Sequence, residues 1–137
     1  MRWVVTVGSI ALGTGPATER TGEAFVLARD ELAAARARRD RLLIRTGEPG
    51  ADRLLDGLAP VLGEMLAELT PLQRRIAWLV LVEELRQADA AERLGIARAT
   101  VSVAHGRGHV RSIGRRVEAL RALFAASILA LTDEAAQ

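Results

Sequence analysis

The spacing of apolar and polar positions changes several times along the 137 residues, and each change predicts an element. The opening "RWVVTVGSIALGT" is β-branched and closes on glycines, which predicts a strand over residues 2–12, bent at Gly8. A loop follows to Thr21. In "TGEAFVLARDELAAARARRDRL" the apolar residues Phe25, Leu27 or Ala28, Leu32 and Ala35 recur at helical spacing, with Arg and acids on the other face. The run Leu42-Leu43-Ile44 ends at Thr46-Gly47 and Pro49-Gly50, which predicts a short strand pairing with the first. A broad apolar stripe then runs from Leu54 through Leu55, Leu58, Val61, Leu62, Met65 and Leu66 to Leu69. Pro60 inside it predicts a kink or a split near Ala59.

At Thr70 a new unit begins. "TPLQ" is a capping-box pattern, with Thr70 as cap, Pro71 in the first helical position and Gln73 reaching back. The helix it opens is predicted over 71–85, burying Leu72, Ile76, Leu79, Val80 and Val82. Near the C-terminus, "HVRSIGRRVEALRALFAASILAL" spaces Val110, Ile113, Val117, Leu120, Phe124 and Leu131 as in a heptad seam, with Ser127 in the gap. That seam suits either packing on the chain's own core or a dimer. Gly106, Gly108 and Gly114 soften the join between this last helix and the helix just before it, which predicts a break near 106–108.

The segment "QADAAERLGIARATVSVAHG" is unlike the rest. Its second half is helical in period yet carries few bulky apolar side chains. It matches the twenty-residue helix-turn-helix pattern with Gln87 in first place. Ala91 is the small residue where two helices cross, and Leu94 is the apolar position before the turn. Gly95 supplies the positive φ of the turn, Ile96 plugs the corner, and Val101 packs the second helix on the first. Ala104 stands where a larger aliphatic is usual. A recognition helix lies in the major groove, so one side stays clear and only a narrow stripe is apolar. The recognition helix is expected over about 97–107. Arg98, Thr100, Ser102, His105, Arg107 and Arg111 are the candidate DNA contacts. Ala97 occupies the cap position, where Ser is usual, so the helix start lacks a cap.

Charge agrees with that placement. The net charge is only +2, but residues 93–121 hold seven Arg and a single acid, Glu118. A positive segment in a near-neutral chain is the footprint of a polyanion site, the alternative being a solvated basic helix face. All 19 basic residues are Arg, and Cys is absent, which excludes disulfides and thiolate metal sites and is in keeping with a cytoplasmic protein. No apolar run approaches the length of a membrane span. Catalytic groups are few. His105 and His109 lie four apart but lack a completing acid, so no metal site is expected. Asp89 and Glu92 read as a cap and a solvated face. "VGSIALGTG" lacks the remainder of a phosphate-binding loop. No cofactor and no enzymatic activity are expected.

The strand "VTVGSI", the helix "RTGEAFVLARDELAAARARRDRL", the strand ending "TGE" and "LTPLQRRIAWLV…ERLGIARATVS" together resemble the later part of SatD-like bacterial proteins. Gly22, Phe25, Ala28 and Arg29 match that family's helix start. The Gly-Asp motif with which the family opens is missing, so a nucleotide-related role has no residues to rest on. "TPLQRR" and "ERLGIARATVS" also resemble region 4 of sigma factors. Both resemblances imply a regulatory DNA-binding protein.

The expected fold is mostly α (α+β): a small N-terminal β element packed with helices, then a helix-turn-helix and a long terminal helix. Residues 1–69 are expected to form an α+β lobe for dimerisation or for effector or partner contact. Residues 70–137 are expected to form the lobe that binds double-stranded DNA. The expected function is transcriptional regulation by a homodimer. Two rivals are a module contacting RNA polymerase or another regulator, and a non-catalytic remnant of a nucleotide-binding or cyclase-like enzyme.

Overall fold

Six helices and one two-stranded sheet make up the computed structural model, which describes residues 1–8 and 22–136. The fold is mostly α with a small β element. The elements are β1 (Trp3–Thr6), α1 (Glu23–Arg38), β2 (Leu42–Arg45), α2 (Pro49–Glu68), α3 (Pro71–Leu81), α4 (Gln87–Leu94), α5 (Arg98–Arg107) and α6 (Val110–Ala136). The residues group into two compact units, Met1–Glu64 with Ala119–Gln137, and Met65–Glu118. The division therefore runs within α2 and α6, whereas the sequence placed it at Leu69–Thr70.

In the first unit β1 and β2 pair in parallel, with Trp3 opposite Leu42 and Thr6 opposite Arg45. Parallel strands need a crossover, and α1 supplies it. Thr6 Oγ1 donates to the Ala24 carbonyl at 3.1 Å, which ties the end of β1 to the start of α1. The first strand is shorter than its composition implied, and the rest of that expected strand and its loop lie outside the described residues. Helix α1 stops at Arg38, short of the expected Leu42, because Arg39 turns left-handed at φ 65° and its N–H bonds the Arg36 carbonyl. Ala24 and Ala35 are its buried residues, while Phe25, expected in the core, is exposed.

The start of α2 is held by its own acids. The Asp52 carboxylate accepts from Thr46 N–H at 2.7 Å and Thr46 Oγ1 at 2.9 Å. The Glu48 carboxylate accepts from the N–H groups of Gly50 and Ala51, which would otherwise be unpaired at a helix start. Ala51, Leu55, Ala59, Leu62 and Gly63 form its buried face. Of the kink or split expected at Pro60, the split does not occur, and α2 runs from Pro49 to Glu68. Proline forfeits one backbone bond, and buried neighbours on either side, Ala59, Leu62 and Gly63, keep the helix continuous through it. Gly63 permits close approach to β2, since a Cβ there would fall 2.9 Å from Leu42 Cβ. Arg45 bridges Glu31 at 3.1 Å and Asp56 at 2.9 Å, linking β2 with α1 and α2. Burial pulls the Arg45 pKa down, but its hydrogen bonds to Asp56 and Glu31 outweigh that and leave it raised.

The second unit centres on Ile76, Leu79, Ala90, Ala91 and Val101, with Val80, Leu85, Leu94, Ile96 and Ala104 packed around them. The capping box at Thr70 is formed: Gln73 N–H donates to Thr70 Oγ1 at 3.3 Å, and Thr70 N–H to Gln73 Oε1 at 2.9 Å. Helix α3 ends at Leu81, four residues before the expected end. Glu84 has φ 56°, and the Leu85 N–H turns back to the Leu79 carbonyl. Ile76 and Leu79 are buried as expected, whereas Leu72 and Val82 are exposed. The break before α6 falls at Gly108 and His109, the latter at φ 50°, while Gly106 sits inside α5. In α6, Val110, Ile113 and Leu120 are buried within their own chain, which decides the use of much of the heptad seam. Ser127 is also buried, its hydroxyl donating to the Phe124 carbonyl at 2.8 Å. The side chain of Leu131 lies outside the described residues.

Candidate nucleic-acid interface

Helix α4 is short, and it ends because Gly95 adopts φ 64° and ψ 33°. An L-residue pays roughly 1 kcal/mol or more for that conformation, and glycine does not. The Gly95 N–H bonds the Ala91 and Glu92 carbonyls, closing the helix end. The Ile96 N–H then bonds the Ala91 carbonyl at 3.1 Å, which holds Ile96 half-buried against the core. Ala90 and Ala91 are buried, and their small side chains let α5 cross close to α4. Val101 is wholly buried, and it is the one residue that α5 commits fully to the core. Ala91 is thus buried, Gly95 makes the turn, Leu94 and Ile96 pack against the core, and Val101 lies within it.

Helix α5 starts without a cap. Ala97 has the extended backbone of a cap residue, φ −64° and ψ 140°, but no side chain to accept an N–H. From there the helix places its residues by its period of roughly 100° each. Val101, Ala104 and Gly108 face inward. Ala99, Ser102, Val103 and Gly106 face out, with Thr100 and Arg107 on one flank and Arg98 and His105 on the other. Arg98, Thr100, Ser102 and Arg107 are exposed, as is Arg111 at the start of α6. His105 is half-buried, and burial together with the charge of Arg111 holds its imidazole pKa below the ordinary value. It therefore offers a neutral ring at neutral pH.

The charges around the helix differ in availability. Arg86 is bound to Asp89 at 3.0 Å, and Arg93 lies 3.5 Å from Glu83. Among the described residues Arg98, Arg107 and Arg111 make no ion pair, so their guanidinium groups are available to phosphate or to a guanine edge.

Sequence reasoning missed the neighbour of this surface. Thr70, Leu72 and Gln73 face Ala99, Thr100, Val103, Ala104 and Arg107 across an open groove of about 540 Å³. The capping box located Thr70 and Gln73, but no periodicity could show that Leu72 borders α5 instead of entering the core.

A second cavity, of about 760 Å³, lies in the first unit past the C-terminal ends of both strands, bounded in part by Gly8, Glu23, Asp30 and Thr46. Its described lining includes two carboxylates and no basic group, which disfavours phosphate. No group of three or more His, Cys, Asp or Glu able to hold a metal occurs among the described residues. Nor is any helix among them long and apolar enough to cross a membrane.

The model of the family Sigma-70, region 4 matches residues 61–108, from late α2 to the end of α5. It supports the sigma half of the sequence resemblance and lends nothing to the SatD-like half. No curated protein and no solved structure gives a significant match to the chain. Together with the geometry above, the match supports a helix-turn-helix of the sigma region 4 type in this segment.

Proposed function

We propose, taking the region 4 type of helix-turn-helix as premise, that the chain binds specific sites on double-stranded DNA and regulates transcription as a cytoplasmic homodimer. It needs no cofactor and catalyses no reaction in this reading. The observation that carries it is α5 itself: a helix exposed on most of its circumference, small-sided, and bordered by Arg98, Arg107 and Arg111, which have no acid partner among the described residues. Set in the major groove, such a helix lets Arg98, Thr100 and Ser102 reach base edges or phosphates. Arg107 and Arg111 add phosphate contacts that carry affinity without sequence information. His105, neutral and half-buried, acts as a hydrogen-bonding group and not as a fixed charge.

Fluorescence anisotropy with a salt titration tests this. Affinity for a selected duplex falls steeply with salt, and Arg107→Ala reduces the slope of log K against log salt by about 1. Arg98→Ala weakens binding by about 1–3 kcal/mol if Arg98 reads a guanine. Binding that is absent on selected duplexes, or indifferent to salt, overturns the reading.

One observation favours a second reading, contact with RNA polymerase or another regulator. Trp78 on α3 and Val82 just past its end are 58% and 54% exposed. Large apolar groups in that state fit a protein surface better than a phosphate backbone. Trp78→Ala then leaves DNA affinity intact and lowers transcriptional output. The nucleotide-binding remnant is the weakest of the three, given the two carboxylates in the cavity of the first unit.

A further inference from the structure

Helix α2 carries an apolar face that is exposed among the described residues. Ala51, Leu55, Ala59, Leu62 and Gly63 line the buried side. On the other side Leu54, Leu58 and Val61 are 57%, 39% and 45% exposed. Their spacing of four and three is that of a helix-pairing seam. Gly57 sits midway along this face, at its edge toward Arg53 and Glu64, exposed, and a Cβ added there would meet nothing. An exposed glycine inside a helix costs about 1 kcal/mol relative to alanine, and nothing among the described residues packs against it to compensate. A close helix crossing does compensate, because glycine lets two backbones approach.

We infer that this face pairs with the same face of a second copy, antiparallel, with the two-fold axis beside Gly57 and Leu58. The flanking charges choose the direction. At roughly 100° per residue, Arg53 and Glu64 fall on one flank of the seam, and Leu58 falls on the other. In an antiparallel pair each flank meets its own equivalent. In a parallel pair it meets the opposite flank. The point midway between 53 and 64 lies at Leu58–Ala59, beside Gly57. Antiparallel pairing about that point sets Arg53 of each copy against Glu64 of the other, giving two symmetric ion pairs. Among the described residues neither Arg53 nor Glu64 has an ion-pair partner within its own chain. Parallel pairing would instead face both charges with apolar side chains. A two-fold interface of this kind is self-complementary, as closed dimers require.

The inference rests on the homodimer proposed above and adds its surface. It also moves dimerisation away from α6, whose Val110, Ile113 and Leu120 are already buried. One helix pair falls at the small end of protein interfaces, so dissociation is expected at about micromolar concentration.

Sedimentation equilibrium of the full chain from about 1 to 200 μM spans that range. Wild type is expected to be dimeric at the upper end. Gly57→Leu raises helix propensity, so it keeps the fold while blocking the crossing, and it is expected to be monomeric throughout. Arg53→Glu and Glu64→Arg each turn two attractions into two repulsions and weaken the dimer by about tenfold. The double exchange restores it, which loss of fold could not do. A monomeric wild type overturns both this surface and the homodimer. A dimer that ignores Gly57→Leu and the charge exchange overturns the surface alone. DNA half-site binding by the monomeric variants, read separately, reports on the helix-turn-helix and is expected to persist.

Discussion

The uncapped start of α5 makes a quantitative prediction. Ala97 already has cap geometry, with φ −64° and ψ 140°, and it is exposed, so a side chain added there meets no steric barrier from the core. The Ala99 and Thr100 N–H groups lie two and three residues on, where a cap side chain reaches. Ala97→Ser is therefore expected to stabilise by about 1 kcal/mol, and Ala97→Asp by somewhat more because a carboxylate also meets the positive end of the helix dipole. For a chain of this length that gain is a rise of about 3 °C in Tm, if the chain melts as one unit. Thr70 provides the internal control. Its hydroxyl accepts from Gln73 N–H, and Thr70→Ala removes that bond at a cost of about 1 kcal/mol. Both are read by urea and thermal unfolding followed by circular dichroism. The two Ala97 variants then separate on DNA. Serine fixes the helix start before binding, so affinity rises. Aspartate fixes it as well but sets a negative charge beside the phosphates, so affinity falls. A gain below about 0.3 kcal/mol in Ala97→Ser, alongside the expected loss in Thr70→Ala, would refute the claim that α5 is short of a cap.

Other perturbations test the turn, the core contact and the histidine. Gly95→Ala is expected to cost about 1–2 kcal/mol in urea unfolding; a Cβ there meets nothing, so the whole cost is the left-handed backbone. Val101→Ala removes two methyl groups from a fully buried site and is expected to cost about 2 kcal/mol, whereas Val103→Ala, two residues on and 52% exposed, costs less than about 0.5 kcal/mol. Equal costs at the two positions would contradict the assigned orientation of α5. For His105 the folded pKa lies below the ordinary 6.5 because of burial and Arg111. The neutral form is favoured by folding, so its contribution is complete above pH 6.5 and is lost as pH falls through the folded value. Melting curves at pH 7.5 and about pH 5 should show a smaller acid-induced loss for His105→Gln than for wild type, and an equal loss would remove His105 from this account.

What the sequence reveals depends on how many residues can satisfy a position. The turn at Gly95 demands a left-handed backbone, the crossing demands a small side chain at Ala91, and the contact demands an apolar one at Val101. Each demand excludes most residue types, so together they are legible in one sequence. Helix α1 ends with no comparable mark, since the left-handed residue there is Arg39 at the close of a run of arginines. Pro60 leaves two outcomes open in the sequence, a kink or a split, and burial of Ala59, Leu62 and Gly63 rules out the split. Apolar periodicity shows which residues share a face but not what covers that face. In the helix expected over 71–85 it counted Leu72 and Val82 as core, and both are exposed. In α6 the heptad pattern describes packing within one chain and pairing between chains equally well, and burial of Val110, Ile113 and Leu120 decides for the former. In α2 the same apolar stripe divides in two: Leu55 and Leu62 turn inward, while Leu54, Leu58 and Val61 turn out around a glycine that a solvated helix has no use for. Residue composition alone treats those two halves as one, so only the three-dimensional arrangement separates the half that folds the chain from the half that stays exposed.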